Sequence, residues 1–394
     1  VYSGQEKIKL HIVDSILKIG ADEWDRCLLE TPGGEDHPFL SHRHLSVLER
    51  CGAIHNRHWK PQLITVRDAD SQLLAAVPLF AKGSSFADFM EERNWASQLR
   101  QAKGQYYPKL LVTSPYAPVT GPRLLIRKAA PPELAARLVN LLMHLPRDNA
   151  SSGIHATFVN ENDLGWLKAA GFHLRPGIQI QWENQNYRNF EDFLGSLTSS
   201  YRSMIRTERR RVAISGITIE SLSGGDIRDE HMDTFSRFYR MTFKKNNRIP
   251  HLPPDYFFML KENMAHDILL VMARDGRKWI GGTLNFVGRH TIFVRSWGGD
   301  EGHPLLYFEV THYQAMDHAI RLGLHRIDGG LGGVFKLKRG YRPVASWSAH
   351  HFADPRFNQD IGNQLATERQ LSDAVLHTLT DKMPYRRAIA RPAP

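Results

Sequence analysis

Runs of apolar residues broken by short polar turns give the first outline of the chain. Residues 62–66 and 73–80 are β-like and flank Arg67-Asp68-Ala69-Asp70-Ser71, a hairpin pattern. Before them, residues 1–36 read as an edge segment followed by a short helix at 21–30. A further helix is predicted at 43–51, with Ser41 as its N-cap. After them the pattern predicts a helix at 87–102, a strand at 123–126, a helix at 132–145, a strand at 153–159, a helix at 161–170 and a strand at 179–183. The second half repeats the plan. Strands at 268–273 and 279–287 flank Arg274-Asp275-Gly276-Arg277; a strand at 291–297, a helix at 304–322 and strands at 324–327 and 347–352 follow. This order predicts two copies of one α/β unit, residues 1–186 and 187–394, with an insertion at about 82–122 in the first copy.

Candidate chemistry concentrates in the second half. The stretch from Asp328 to Tyr341 places Gly329, Gly330, Gly332 and Gly333 at the end of a strand, with Phe335, Lys336, Lys338 and Arg339 directly after them. Glycines permit positive φ and close approach of backbone to a ligand, so the run reads as an anion cradle; it also reads as a surface turn with solvated lysines. Upstream, a predicted helix at 190–215 carries Arg202, Arg206, Arg209 and Arg210 at i+3 and i+4 spacings. A one-sided arginine stripe is a phosphate-binding pattern, and equally the pattern of a solvated helix face. Arg295 and Trp297 alternate on a strand, and Glu309 and Tyr313 stand one turn apart on the long helix. With Tyr341 they are candidate substrate contacts.

Composition narrows the partners without choosing one. The sequence of 394 residues holds 51 Lys+Arg against 41 Asp+Glu, a formal charge of +10, which favours anionic ligands such as nucleic acid or a phosphorylated carrier. No apolar run approaches the roughly 18 residues of a membrane span, and no apolar signal core stands at the start. The two cysteines, Cys27 and Cys51, are read as free thiols of a reducing, cytoplasmic compartment. The 20 histidines, among them His42, His44, His55, His58, His350 and His351, lack the spacing of a metal site and read as scattered surface groups. Spacing signals no Ser-His-Asp or Cys-His nucleophile either.

Several segments together resemble the FemAB-like proteins, described as peptidoglycan biosynthesis or recognition proteins: His37-Pro38-Phe39-Leu40-Ser41, Tyr107-Pro108-Lys109-Leu110, Pro118-Val119-Thr120-Gly121-Pro122-Arg123-Leu124, the arginine segment from Ile205 to Val212, Tyr313-Gln314-Ala315-Met316-Asp317, and Lys336-Leu337-Lys338-Arg339-Gly340-Tyr341. The resemblance implies two tandem GNAT-like (N-acetyltransferase) α/β domains with mixed, mostly antiparallel sheets flanked by helices. It also implies an amide-forming acyltransferase. Where the family usually carries an acidic residue and a histidine before the lysine, this chain has Val334 and Phe335. The Phe335-Lys336 pair is similar to that of the Fem aminoacyltransferases, whose lysine is implicated in stabilising the transition state.

On that resemblance Lys336, Phe335 and Asp328 are the expected catalytic group, with Lys336 exposed at the surface and Asp328 orienting or deprotonating an amine. Gly329, Gly330, Gly332, Gly333, Lys338 and Arg339 would hold the donor's phosphates, and Arg202, Arg206, Arg209 and Arg210 would bind tRNA. The donor is then aminoacyl-tRNA and the acceptor an amine on a cell-wall precursor or small metabolite, with no tightly bound cofactor and no metal. Acyl-CoA as donor, or a binding protein of the same fold without catalysis, are the alternatives.

Overall fold

The computed structural model describes residues 8–90, 92, 94–300 and 302–386. The starting residues Val1 to Lys7 and part of the predicted 87–102 helix lie outside that set. The chain divides into two compact units, the first formed by the chain up to Gly177 with Ser346–Ser372 and the second by Ile178–Ala345 with the chain from Asp373 onward. The sequence pattern places its boundary at 186/187; the structure places it inside the strand His173–Glu183, and the chain returns to the first unit within the strand Arg342–Phe352.

In the first unit the predicted hairpin forms, with Leu63–Arg67 antiparallel to Leu73–Val77. Lys9–Val13 and Leu125–Ile126 complete a four-stranded antiparallel sheet. The 73–80 run does not continue as one strand: Pro78 has no N–H to give a ladder, and Leu79–Lys82 pairs instead with Lys60–Pro61 and Lys109–Val112. Leu138, Val139 and Leu142, on one face of the helix Leu134–Asp148, pack with Leu110, Val112, Ile154 and Ala156 in the core. The predicted 87–102 helix is reduced to Trp95–Gln101. Ala87 and Phe89 have φ of 56°, outside the helical region, and Asp88 and Glu92 turn inward to Lys109.

In the second unit Ile217–Leu222, Ile268–Asp275, Lys278–Val287 and Thr291–Gly299 form an antiparallel meander. Gly276, at φ of 55°, makes the turn between the second and third of these strands. Thr291–Gly299 then meets Arg326–Leu331 in parallel, for three residue pairs only, from Thr291↔Arg326 to Phe293↔Asp328. Beyond Phe293 the strands part. On one side a bulge sets Arg295 between two register pairs, since Leu284 pairs Ser296 and Asn285 pairs Val294. On the other, three steps from Asp328 to Leu331 lie against two from Gln181 to Gln179. The helix Asp229–Lys245 lies directly on the meander: a Cβ at Gly298 would stand 2.4 Å from the Phe238 carbonyl carbon. The predicted 190–215 helix is two, Phe190–Ser196 and Ser199–Ala213.

Candidate active site

The gap between the parting strands is closed at its base by charge. Arg295, re-aimed by the bulge, donates from Nη2 to Asp328 Oδ1, and the same oxygen accepts the Gly330 N–H at 2.9 Å. Asp328 is buried. Its assignment as a base that takes a proton from the amine is therefore corrected: the carboxylate is committed to holding the two strand ends together.

From Asp328 the chain turns through Gly330, Gly332 and Gly333 at φ of 74°, 65° and 86°, into the 3-10 turn Val334–Arg339. Lys336 folds back over this turn. Its Nζ donates to the carbonyls of Gly329 at 2.6 Å and Gly332 at 3.3 Å, and a Cβ on Gly333 would stand 2.9 Å from Lys336 Cε. The glycine run therefore presents carbonyl oxygens to a lysine, which corrects the expected cradle of N–H groups. Lys336 is also 7% exposed and not a surface lysine. Burial, reinforced by the Arg295 charge and partly opposed by Asp328, lowers its pKa from 10.5 to about 8. Two of its three N–H bonds are used, both by neutral oxygens.

The other cations of the turn divide sharply. Lys338 is exposed. Arg339 is buried and grips Glu208 through Nε at 3.1 Å and Nη2 at 2.6 Å, donates to the Phe335 carbonyl at 3.0 Å, and lies 3.3 Å over the Phe308 ring. Tyr313 closes this network by donating to Glu208. Arg339 and Tyr313, read from the sequence as phosphate and substrate contacts, are thus internal ties between the turn and the helix Ser199–Ala213. Glu309 is corrected likewise: it is buried, with Arg209 Nη2 at 3.1 Å and Gln314 Nε2 at 2.8 Å. Arg209 spends its charge on Glu309 and on Asp317 at 2.7 Å, against the Phe190 ring. Of the arginine stripe, Arg206 pairs with Glu191 at the surface, Arg210 is exposed and Arg202 is half-buried.

The long predicted helix is interrupted by one π-helical turn, Glu309–Tyr313, between Leu306–Phe308 and Gln314–Leu322. Widened turns of this kind are frequent at functional sites. This one holds His312, which the sequence reading passed over. His312 is fully buried with Nδ1 3.0 Å from the hydroxyl of Tyr341, itself buried. Desolvation, with the charges of Lys336 and Arg339, keeps its imidazole neutral, its pKa well below the ordinary value. Its signal in the sequence was only a histidine beside an aromatic run on a helix. His44 and His350 are also buried, so the reading of the histidines as surface groups is corrected.

Phe335, 40% exposed, stands at the mouth of the gap, its ring 6.0 Å from that of Tyr307. Tyr307 packs edge-on to Trp297 at 5.4 Å, and both line an open cavity of about 770 Å³ with Thr242, Lys245, Asn246 and Asp300. The structure thus brings Lys336, Phe335, Trp297 and Arg295 to one region, and adds Tyr307 and His312. Among the described residues no group of three or more His, Cys, Asp or Glu is placed to hold a metal, and no helix is long and apolar enough to cross a membrane.

The FemAB-like family model, described as peptidoglycan biosynthesis/recognition, matches residues 15–387. No curated protein matches the sequence. Among solved structures the chain is similar to FemX, 13% identical with a TM-score of 0.55, covering 87% of this chain and 98% of that one. It is also similar to the C-terminal domain of a protein assigned as a lysylphosphatidylglycerol synthetase in Agrobacterium fabrum, 10% identical with a TM-score of 0.53, covering 87% and 96%. A tandem GNAT protein of the clavulanic acid biosynthesis pathway, 9% identical, covers 89% of this chain and 99% of its own at a TM-score of 0.49. The fold is α/β, two tandem GNAT-like units with mixed sheets. The chain belongs to the FemAB-like family.

Proposed function

We propose that the protein forms an amide by moving an aminoacyl group from the ribose ester of aminoacyl-tRNA to the amine of a cell-wall precursor or small metabolite. The observation that carries this reading is Lys336, a buried cation with carbonyl oxygens in place of a carboxylate partner. A paired ammonium has its charge already neutralised, whereas this one gains most when negative charge develops beside it. In the reaction the amine nitrogen attacks the ester carbonyl, a C–N bond forms, the carbonyl oxygen becomes an oxyanion, and the C–O bond to ribose breaks as the amine's proton passes to the leaving hydroxyl. Lys336 stabilises the oxyanion, the effect that commonly dominates acyl-transfer catalysis.

Phosphate groups would be met outside this centre. The Gly330 N–H is taken by Asp328, and Arg339 by Glu208, so neither supports a buried pyrophosphate site. The cavity beside Phe335 is lined by one lysine, Lys245, and one carboxylate, Asp300. Exposed Arg210 and Lys338, half-buried Arg202, and Arg206, whose pairing with Glu191 is a surface one, are the cations a nucleic-acid backbone would contact, which favours tRNA over acyl-CoA as donor.

The test is titration of the purified protein with charged tRNA and, separately, with acetyl-CoA, each at low and moderate salt. Salt-dependent tRNA binding, weakened when Arg206 and Arg210 are both neutralised, supports the aminoacyl-tRNA donor. Saturable acetyl-CoA binding without tRNA affinity replaces it with an acyl-CoA enzyme. Ligand binding without turnover of either donor leaves a recognition protein.

A further inference from the structure

We infer that His312 is a second hydrogen-bond donor of this centre, giving its Nε2–H to the same acyl carbonyl oxygen that Lys336 stabilises; the inference rests on the acyl-transfer reading above. The ring is completely buried, yet only one nitrogen is satisfied. Nδ1 meets the Tyr341 hydroxyl, while Nε2 has no hydrogen-bond partner among the described residues. Those residues give the Tyr341 hydroxyl no other acceptor, so the phenol donates to Nδ1 and the ring proton resides on Nε2. A buried N–H left without an acceptor bears the full desolvation cost of the group. A ligand oxygen would remove that cost.

The surroundings identify the kind of ligand atom. The His312 ring contacts Tyr307 edge-on at 5.3 Å, Phe308 at 6.5 Å and Phe335 at 6.4 Å. Aromatic faces wall the ring and Arg339 is already paired with Glu208, and the nearby Lys336 and Arg339 charges oppose protonation of the ring. What fits is a neutral carbonyl oxygen that turns negative during the reaction. Tyr307 belongs both to this enclosure and to the wall of the 770 Å³ cavity, and Phe335 is partly exposed, so these two rings mark the approach that an acyl group would take toward Lys336 and His312. The π-helical turn provides the local cause, because its wider backbone alters which side chains of the helix face the turn at 334–339. His312 transfers no proton in this role. The bonds made and broken are those already described, and the oxyanion shares two donors instead of one.

Side-chain ¹⁵N NMR of the full chain, with the His312 signals assigned against His312→Gln, tests the inference on the wild-type protein. The probes are puromycin, a stable aminoacyl nucleoside, and acetyl-CoA. The expected result is a neutral ring protonated on Nε2 from pH 6 to 8, with the Nε2 signal moving when the probe that binds is added. A proton on Nδ1, or a bound probe that leaves Nε2 unmoved, overturns it. Binding of neither probe, together with no binding of charged tRNA in the titration above, refutes instead the acyl-transfer reading, and the inference with it. With the donor that binds, His312→Ala should lower kcat by ~10²–10³ at little change in KM, and His312→Gln, which restores an N–H, should recover part of the loss. Gln no better than Ala would reduce His312 to a packing residue.

Discussion

Lys109 in the first unit and Lys336 in the second are both buried lysines, and they are held in opposite ways. Lys109 Nζ lies 2.8 Å from Asp88, against Glu92 as well, and 3.2 Å from Ser85 Oγ. Lys336 is held by the carbonyls of Gly329 and Gly332. A lysine wrapped in carboxylates has its field cancelled where it stands and serves the fold. A lysine held by carbonyls keeps its charge available, and the fold bears the desolvation cost. The comparison teaches that burial alone does not separate a structural from a working cation. The chemistry of the partner does.

The comparison breaks most visibly at Lys109. Lys109→Met would strand Asp88 and Glu92 in the interior, and urea unfolding should show a loss of about 3–5 kcal/mol. A loss under about 1 kcal/mol would mean that the carboxylates do not depend on it. Lys336→Met should act in the reverse sense, lowering acyl transfer by ~10² or more while raising folding stability by about 1–3 kcal/mol. The sign follows from linkage. The folded pKa, about 8, lies below the unfolded 10.5, so the unfolded chain binds more protons between these values. The penalty is present in full below about pH 8 and is gone by about 10.5, so the variant's advantage should vanish over that range. Unchanged transfer would remove Lys336 from the mechanism.

The same shift sharpens the comparison through pH. With the acceptor saturating, single-turnover transfer that depends on the Lys336 ammonium should fall as pH rises through about 8. A profile that only rises to pH 10 would exclude a charged Lys336. On the arginine helix, Arg209→Gln should cost about 1–2 kcal/mol through Glu309 and Asp317. Arg206→Gln, whose partner Glu191 is at the surface, should leave Tm unchanged and be detectable only in the salt dependence of tRNA binding.

Parts of the site were legible because they are local. Positive φ at Gly330, Gly332 and Gly333, the turn that carries Lys336, and the meander strands before it follow from residue type and apolar pattern within a few positions. The burial of Lys336 and Arg339 was not legible, because Glu208 lies 131 residues from Arg339 and no spacing rule connects them. His312 escaped for a related reason: its partner Tyr341 comes from beyond the turn, and one π-helical turn leaves no periodic trace. Arg209 shows the same limit, since helical spacing put it on the arginine stripe and Glu309 with Asp317 drew it inward.

The sequence by itself determined the α/β strand and helix order, the second-half position of the glycine-lysine turn and the family motifs, since each depends on backbone propensity or on residues close in the chain. Only the tertiary structure decided which charges are spent and which remain. That choice depends on desolvation and on partners from distant segments. Asp328, Arg339 and Glu309 came out as ties, Lys336 as the cation held by carbonyls, and His312 as a buried ring with one nitrogen unmatched.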